Sequence, residues 1–256
     1  MEKRSSASKQ IKKYSLIVGL LVFIASFLFG YISLKNLEKG KKTAATYTAQ
    51  STVRRINAQL NQYVELSEFL GNVVLAGYNL GQTSFSELAE MLPNENGIVK
   101  AFELAPNGVV TDIFPQQGNE NAFGINMLTD HNRKEDANRA KETGNYILGG
   151  PYRLKQGGTG ALLFHPVYKS DSIDNDSFWG FVIMVIDWDK FIDEIGLERL
   201  NEASYCYEIW TTDDTTGSRV VLTQSQEHIP KNNLTVECEI PNDTWYVDIV
   251  PDEGWI

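Results

Sequence analysis

Residues 14–34 read YSLIVGLLVFIASFLFGYISL, 21 positions without a charge, closed off by Lys13 and Lys35. At ~1.5 Å per helical residue the run spans ~31 Å, the thickness of a bilayer's hydrocarbon core. Tyr14 and Tyr31 lie near its two ends, where amphipathic rings favour the headgroup region. The run is too long for the apolar part of a cleaved leader, and nothing like A-x-A follows Leu34, so it reads as an uncleaved anchor. Five Lys and Arg precede it and four Lys follow between 35 and 42, so the positive-inside count alone does not orient it. A 13-residue basic tail stays in the cytoplasm easily, whereas a long acidic domain translocates whatever its charge. The expectation is a single-pass protein of the cell (inner) membrane with residues 36–256 periplasmic or extracellular.

Charge supports that division. Residues 1–42 hold nine of the 23 Lys and Arg and two of the 33 Asp and Glu, which leaves 14 basic against 31 acidic groups beyond them. So acidic a body is a poor match for a phosphate backbone, and nucleic acid is excluded as the main partner. The three histidines, His131, His165 and His228, are isolated from one another and from any Cys at metal-ligand spacing. No nucleophile sits in a recognisable frame, and Gln156-Gly157-Gly158-Thr159-Gly160 lacks the Lys of a phosphate loop and reads as a hairpin turn. No metal, cofactor or enzymatic activity is expected of this chain. Cys206 and Cys238 fall in strand-like segments; a cross-strand disulfide and two buried free thiols are both open readings.

Beyond the anchor, residues 43–79 contain no proline, and apolar side chains recur at Val53, Ile56, Leu60, Tyr63, Leu70 and Val74, a heptad-like seam interrupted at Ser67. Leu66, Phe69 and Val73 make a second stripe. One long stalk helix follows, with one side for its own domain and one for a partner helix, or with both packed internally. Ser84 and Glu87 suit a capping box for a short helix ending before Pro93. The period then changes to two. GIVKAFELAP and GVVTDIFP read as strands joined at Asn107-Gly108, and Asp130 and Gly144 bracket a helix over about 132–143 in which Glu135 and Arg139 stand four apart. Strands follow at 146–154, 160–168 and 179–186, then a helix capped by Asp187 and ending near Gly196. Four more strands, at 205–210, 220–223, 234–240 and 245–250, form a second sheet. The fold class is α+β, with two antiparallel sheets in tandem behind the anchor and the stalk.

The run GIVKAFELAPNGVVTDIFPQQGNENAFGINML, with RAKETGNYILGGPYRLKQGG, LLFHPVYK, FWGFVIMVID and the closing TWYVDIVPDEGW, resembles the CHASE domain. That is the extracytoplasmic sensory module of many bacterial histidine kinases and cyclic-di-GMP enzymes and of plant cytokinin receptors. The resemblance implies a long helix followed by membrane-distal and membrane-proximal PAS-like domains. The expected divisions are a tail (1–13), the transmembrane helix (14–34), the stalk region (35–92), the distal domain (93–196) and the proximal domain (197–256). It also implies a small-molecule pocket in the distal sheet. Asn126 falls where the plant receptors place an Asp against the adenine ring, Leu148 where a backbone group meets the ring, and Phe164 where they have a pocket Thr. Asn126 is neutral, Phe164 adds a ring, and Ile183 and Met184 stand where the plant proteins have glycines, so a cytokinin is not the expected ligand. Phe114, Met184 and Arg153 complete the candidate ligand set, with ordinary core packing the competing role for the apolar members and a turn for Asn126. The expected function is a ligand-sensing ectodomain, a homodimer through its stalk, signalling to a cytoplasmic output. The alternative is a ligand-free protein-binding or structural ectodomain.

Overall fold

The computed structural model describes residues 2–76, 82–94, 96–155, 157–169, 177–213, 216–226 and 232–255, with residues 2–13 and 82–83 described by backbone alone. His228, Gln156 and the expected end of the stalk near residue 79 lie outside these. Helix α1 runs unbroken from Glu2 to Leu75, ~110 Å, so anchor and stalk are one rod. Its side chains from Tyr14 to Leu34 are exposed in the protein and apolar enough for lipid.

Past residue 44 the rod acquires a buried seam. Ala45, Ala49, Thr52, Ile56, Leu60, Tyr63, Ser67 and Leu70 are at most 2% exposed, and the three-four spacing keeps them on one face. Small residues at 45, 49, 52 and 67 bring strands close, and the larger ones fill the space between. That face packs on strands of both sheets. Of the two stripes, the heptad-like seam is therefore largely the molecule's own core. Ile56 and Leu60 are sealed within it, Val53 packs at its margin, and Phe69 from the second stripe is exposed. The opposite face presents Tyr47, Arg54, Ala58, Asn61 and Glu65.

Helix α2 (Gln82–Glu90) starts two residues before Ser84, so Ser84 is inside it. Strands β1 (Val99–Pro106) and β2 (Asp112–Phe114) turn through Asn107 and Gly108, both with positive φ (54° and 84°), the pair that a tight hairpin demands. Helix α3 (Lys134–Thr143) ends at Gly144 in the left-handed conformation (φ 69°) and starts two residues later than expected, without a side-chain cap. On it Arg139 pairs with Asp136 at 3.3 Å, not with Glu135, because Asp136 lies on the inner side that also receives the Tyr152 hydroxyl. Strands β3 (Ile147–Arg153), β4 (Thr159–Tyr168) and β5 (Phe178–Asp187) complete the first sheet, in the order β2-β1-β5-β4-β3 and antiparallel throughout. Asp187 caps helix α4 (Trp188–Glu194) by accepting from the Lys190 amide. A further short helix, α5 (Glu198–Glu202), leads to β6 (Tyr205–Thr212), β7 (Arg219–Gln224), β8 (Leu234–Ile240) and β9 (Asp243–Pro251), ordered β7-β6-β9-β8. The molecule is α+β: an apolar N-terminal helix followed by two PAS-like antiparallel sheets.

Sheet order settles the cysteines. Cys206 on β6 and Cys238 on β8 are separated by β9, where their partners are Val250 and Trp245. Two strand spacings are ~9.6 Å before any offset along the strands, beyond the reach of a disulfide. Both are free, buried thiols: Cys206 donates to Asp252 Oδ1 at 3.0 Å and Cys238 to Asn57 Oδ1 at 3.4 Å.

Candidate functional site: the inner face of the distal sheet

Alternation along the strands gives the first sheet two differently employed faces. One carries Phe102, Leu104, Leu148, Leu163, Met184 and Ile186 toward the stalk core. The other carries Ala101, Ala105, Leu162, Phe164, Ile183 and Val185 beneath Met127, Ala137 and Ala140 of the covering segment and α3. Across this second, inner face the strand register lines up Ile113, Glu103, Ile183, Phe164 and Ile147 in one row. Glu103 is the exception in an otherwise apolar row. It is 1% exposed, flanked along β1 by Ala101 and Ala105, and its Oε2 has no hydrogen-bond partner among the described residues. Burial pushes its carboxyl up to about 8, against the pull of Arg133.

Arg133, 2% exposed, comes from the turn before α3. Its Nη1 donates to Asp130 Oδ1 at 2.9 Å, and its guanidinium lies 5.7 Å from the Tyr152 ring centroid. Its Nε is buried without a partner among the described residues. Asp130 is held by the turn that Asn126 builds: the Asn126 carbonyl accepts from the amides of Thr129 and Asp130, while its Oδ1 accepts from Leu128 N at 3.0 Å. Burial works against the Asp130 charge, but Arg133 and the Asn132 amide keep its carboxyl below the usual carboxylate range. Tyr152 donates to Asp136 Oδ2; burial first, then that carboxylate, lifts the phenol well above its ordinary range. Gly149 makes this contact possible, since a Cβ there would stand 2.6 Å from Asp136 Oδ2.

The six candidate residues thus divide. Phe164, fully buried, shares the inner row with Glu103 and meets Phe181 edge to face at 5.7 Å. Met184 and the Leu148 side chain face the stalk core, as does Phe114 opposite Phe102. Asn126 acts through its turn, and Arg153 is exposed on edge strand β3. One cavity cannot be lined by side chains from both faces of the sheet. Glu103, Arg133, Asp130 and Tyr152 were absent from the sequence-based set. The available signal was an acidic residue in the inward phase of FELAP, between two alanines.

Open clefts among the described residues lie elsewhere. One of about 330 Å³ is bounded by Gln59, Tyr63, Asn94 and Glu194, and one of about 440 Å³ runs between Asp136, Arg139 and Gly149 of the distal domain and Thr211, Asp213 and Asp243 of the proximal sheet. Neither reaches Glu103.

The CHASE domain pattern matches residues 87–222, more than half of the protein. The chain belongs to the CHASE domain family. It is therefore an extracytoplasmic sensor region, and the match covers the whole distal sheet and extends into β7 of the second. An extracellular ligand binding receptor from Desulfohalobium retbaense DSM5692 has the same fold at 17% identity and a TM-score of 0.59, over 78% of this CHASE chain. The chain spans 38% of that receptor's length. The periplasmic domain of Vibrio cholerae LuxQ aligns at 10% identity and a TM-score of 0.40, over 79% of this chain and 97% of that one. No curated protein matches the chain.

Proposed function

We propose that the distal domain (93–196) binds a small molecule on its inner face and that the rod carries the event through the membrane to a cytoplasmic output. The observation that carries this reading is the pair of sealed, incompletely satisfied polar groups, Glu103 Oε2 and Arg133 Nε, on the side of the sheet away from the stalk. Buried polar atoms left without partners are costly, and a ligand that supplies those partners gains what the unpaired atoms forgo.

The route to the rod is short. On β4, Phe164 faces the inner row and His165 the stalk, where its Nδ1 lies 2.8 Å from the Ser67 carbonyl. Gly71 accommodates that ring: a Cβ there would be 2.6 Å from His165 Cε1. Burial lowers the imidazole's pKa, so His165 is a neutral packing element between sheet and rod at neutral pH. Arg55 adds a second tie, donating from Nε to the Ile195 carbonyl at 2.7 Å beside α4. A ligand that moves Phe164 therefore moves a strand already keyed into the helix. In a dimer the outward stalk face at Tyr47, Arg54, Ala58 and Glu65 would meet its counterpart, with residues 36–256 outside the cytoplasm.

A second reading, a ligand-free protein-binding ectodomain, draws on the aromatic filling of the inner face, where Phe164, Phe181 and Phe178 stack edge to face at 5.7 and 5.1 Å. Melting of the full chain in nanodiscs against amino acids, purines, organic acids, amines and peptides separates the two, since a ligand of the folded form alone raises the melting point. The sensor reading expects at least one hit, weakened by Glu103→Gln or Arg133→Lys. A flat response across the library contradicts it.

A further inference from the structure

The charges around Glu103 narrow the ligand class. Arg133 is answered by Asp130 at 2.9 Å, and Lys155 approaches the same carboxylate at 3.9 Å. Among the described residues no cation comes within ion-pair distance of Glu103, and Arg133 is the one charge that acts on it. Its other neighbours in the row are Ile113 from β2 and Ile183 from β5; Asp136 and Arg139 belong to α3, paired to each other. The carboxylate can accept hydrogen bonds at both oxygens, and nothing in the row donates one. An anionic ligand would hold Glu103 in its protonated form, and a ligand with acceptors only could take the hydrogen bond of that form, whereas a cationic donor answers the ionised carboxylate in both charge and hydrogen bonds.

We propose that the inner face is a site for a primary amine that also carries a hydrogen-bond acceptor. Its ammonium pairs with Glu103, and its acceptor takes the Arg133 Nε–H. An alkylammonium supplies three donors and a positive charge in a compact head, and the side chains flanking Glu103 along β1, Ala101 and Ala105, are small. Before binding, the buried Glu103 holds its proton; the incoming ammonium favours the carboxylate, so R–NH3⁺ and Glu103–COOH become an R–NH3⁺···⁻OOC–Glu103 pair and one proton leaves to water. The inference rests on the inner face being the ligand site, and it adds the chemistry of the guest and a proton released on binding.

The test uses the full chain in detergent micelles at pH 7. Glycine, 4-aminobutyrate and ethanolamine are compared with glycolate, 4-hydroxybutyrate and ethylene glycol, in which a hydroxyl replaces the amine. The expected result is a rise in melting point with at least one amine and none with its hydroxyl partner. Glu103→Gln should weaken that amine about tenfold or more while melting no lower than the parent, which shows that it is folded. Calorimetry in buffers of different ionisation enthalpy should show close to one proton released per amine bound by the parent and none by the variant. Equal binding of amine and hydroxyl partners, binding indifferent to Glu103→Gln, absence of proton release, or no amine binding at all each overturns the inference. If a non-amine compound from the wider library binds and is weakened by Arg133→Lys, the sensor reading stands while the amine assignment falls.

Discussion

Glu103 is the least expected residue in the fold: an acid placed where strand alternation calls for an apolar side chain. Its folded pKa of about 8 lies above the ordinary carboxylate value, so between roughly pH 4.5 and 8 the folded chain binds the extra proton. Stability from this group is complete below the unfolded pKa and is lost as pH rises through the folded one. Glu103→Gln should therefore flatten the fall in unfolding free energy across that window, changing little at pH 4.5 and adding roughly 2 kcal/mol or more at pH 8.5, as read by denaturant titration. A variant less stable than the parent at pH 8.5 would mean that the carboxylate is compensated. The cysteines make a second residue-scale case. Burial, with Asp252, lifts the Cys206 thiol to about 11, and burial lifts Cys238 to about 12, so neither supplies thiolate at neutral pH. A maleimide should leave both unlabelled in the native chain and add two labels after denaturation without reductant; no label on unfolding would indicate a disulfide.

Among the elements, the stalk helix has a seam that a sequence reading cannot assign to one partner. Leu60→Ala should cost about 2–5 kcal/mol, because the side chain is 2% exposed against the chain's own sheets, whereas Tyr47→Asn on the outward face should stay within about 0.5 kcal/mol. Equal and small effects would put the seam outside the core. Most of the fold was legible from local chemistry: the uncharged 21-residue run, Asn107-Gly108 at the hairpin, Gly144 at the end of α3 and Asp187 at the start of α4 all lie where their residue types dictate. The site was less legible, because it depends on register. Only the pairing of β1, β5 and β4 shows that Glu103 and Phe164 share a face while Met184 and Leu148 look the other way. The separation of Cys206 from Cys238 is likewise a property of strand order, which linear spacing does not contain.

At the scale of the whole molecule, both sheets lean on one rod that continues into the apolar span, and the proposed coupling requires a change in how the distal sheet grips the helix. The distal grip is His165 against Ser67 and Gly71, one residue along β4 from Phe164 on the inner row. The most direct test is hydrogen–deuterium exchange on the full chain in nanodiscs, with and without the compound that most raises its melting point. Slowed exchange is expected in 99–106 and 126–140 around Glu103 and Arg133, together with an altered rate in 63–75 of the stalk. Protection confined to the proximal sheet, or protection at Glu103 with the stalk unchanged, would contradict a distal sensor coupled to its rod.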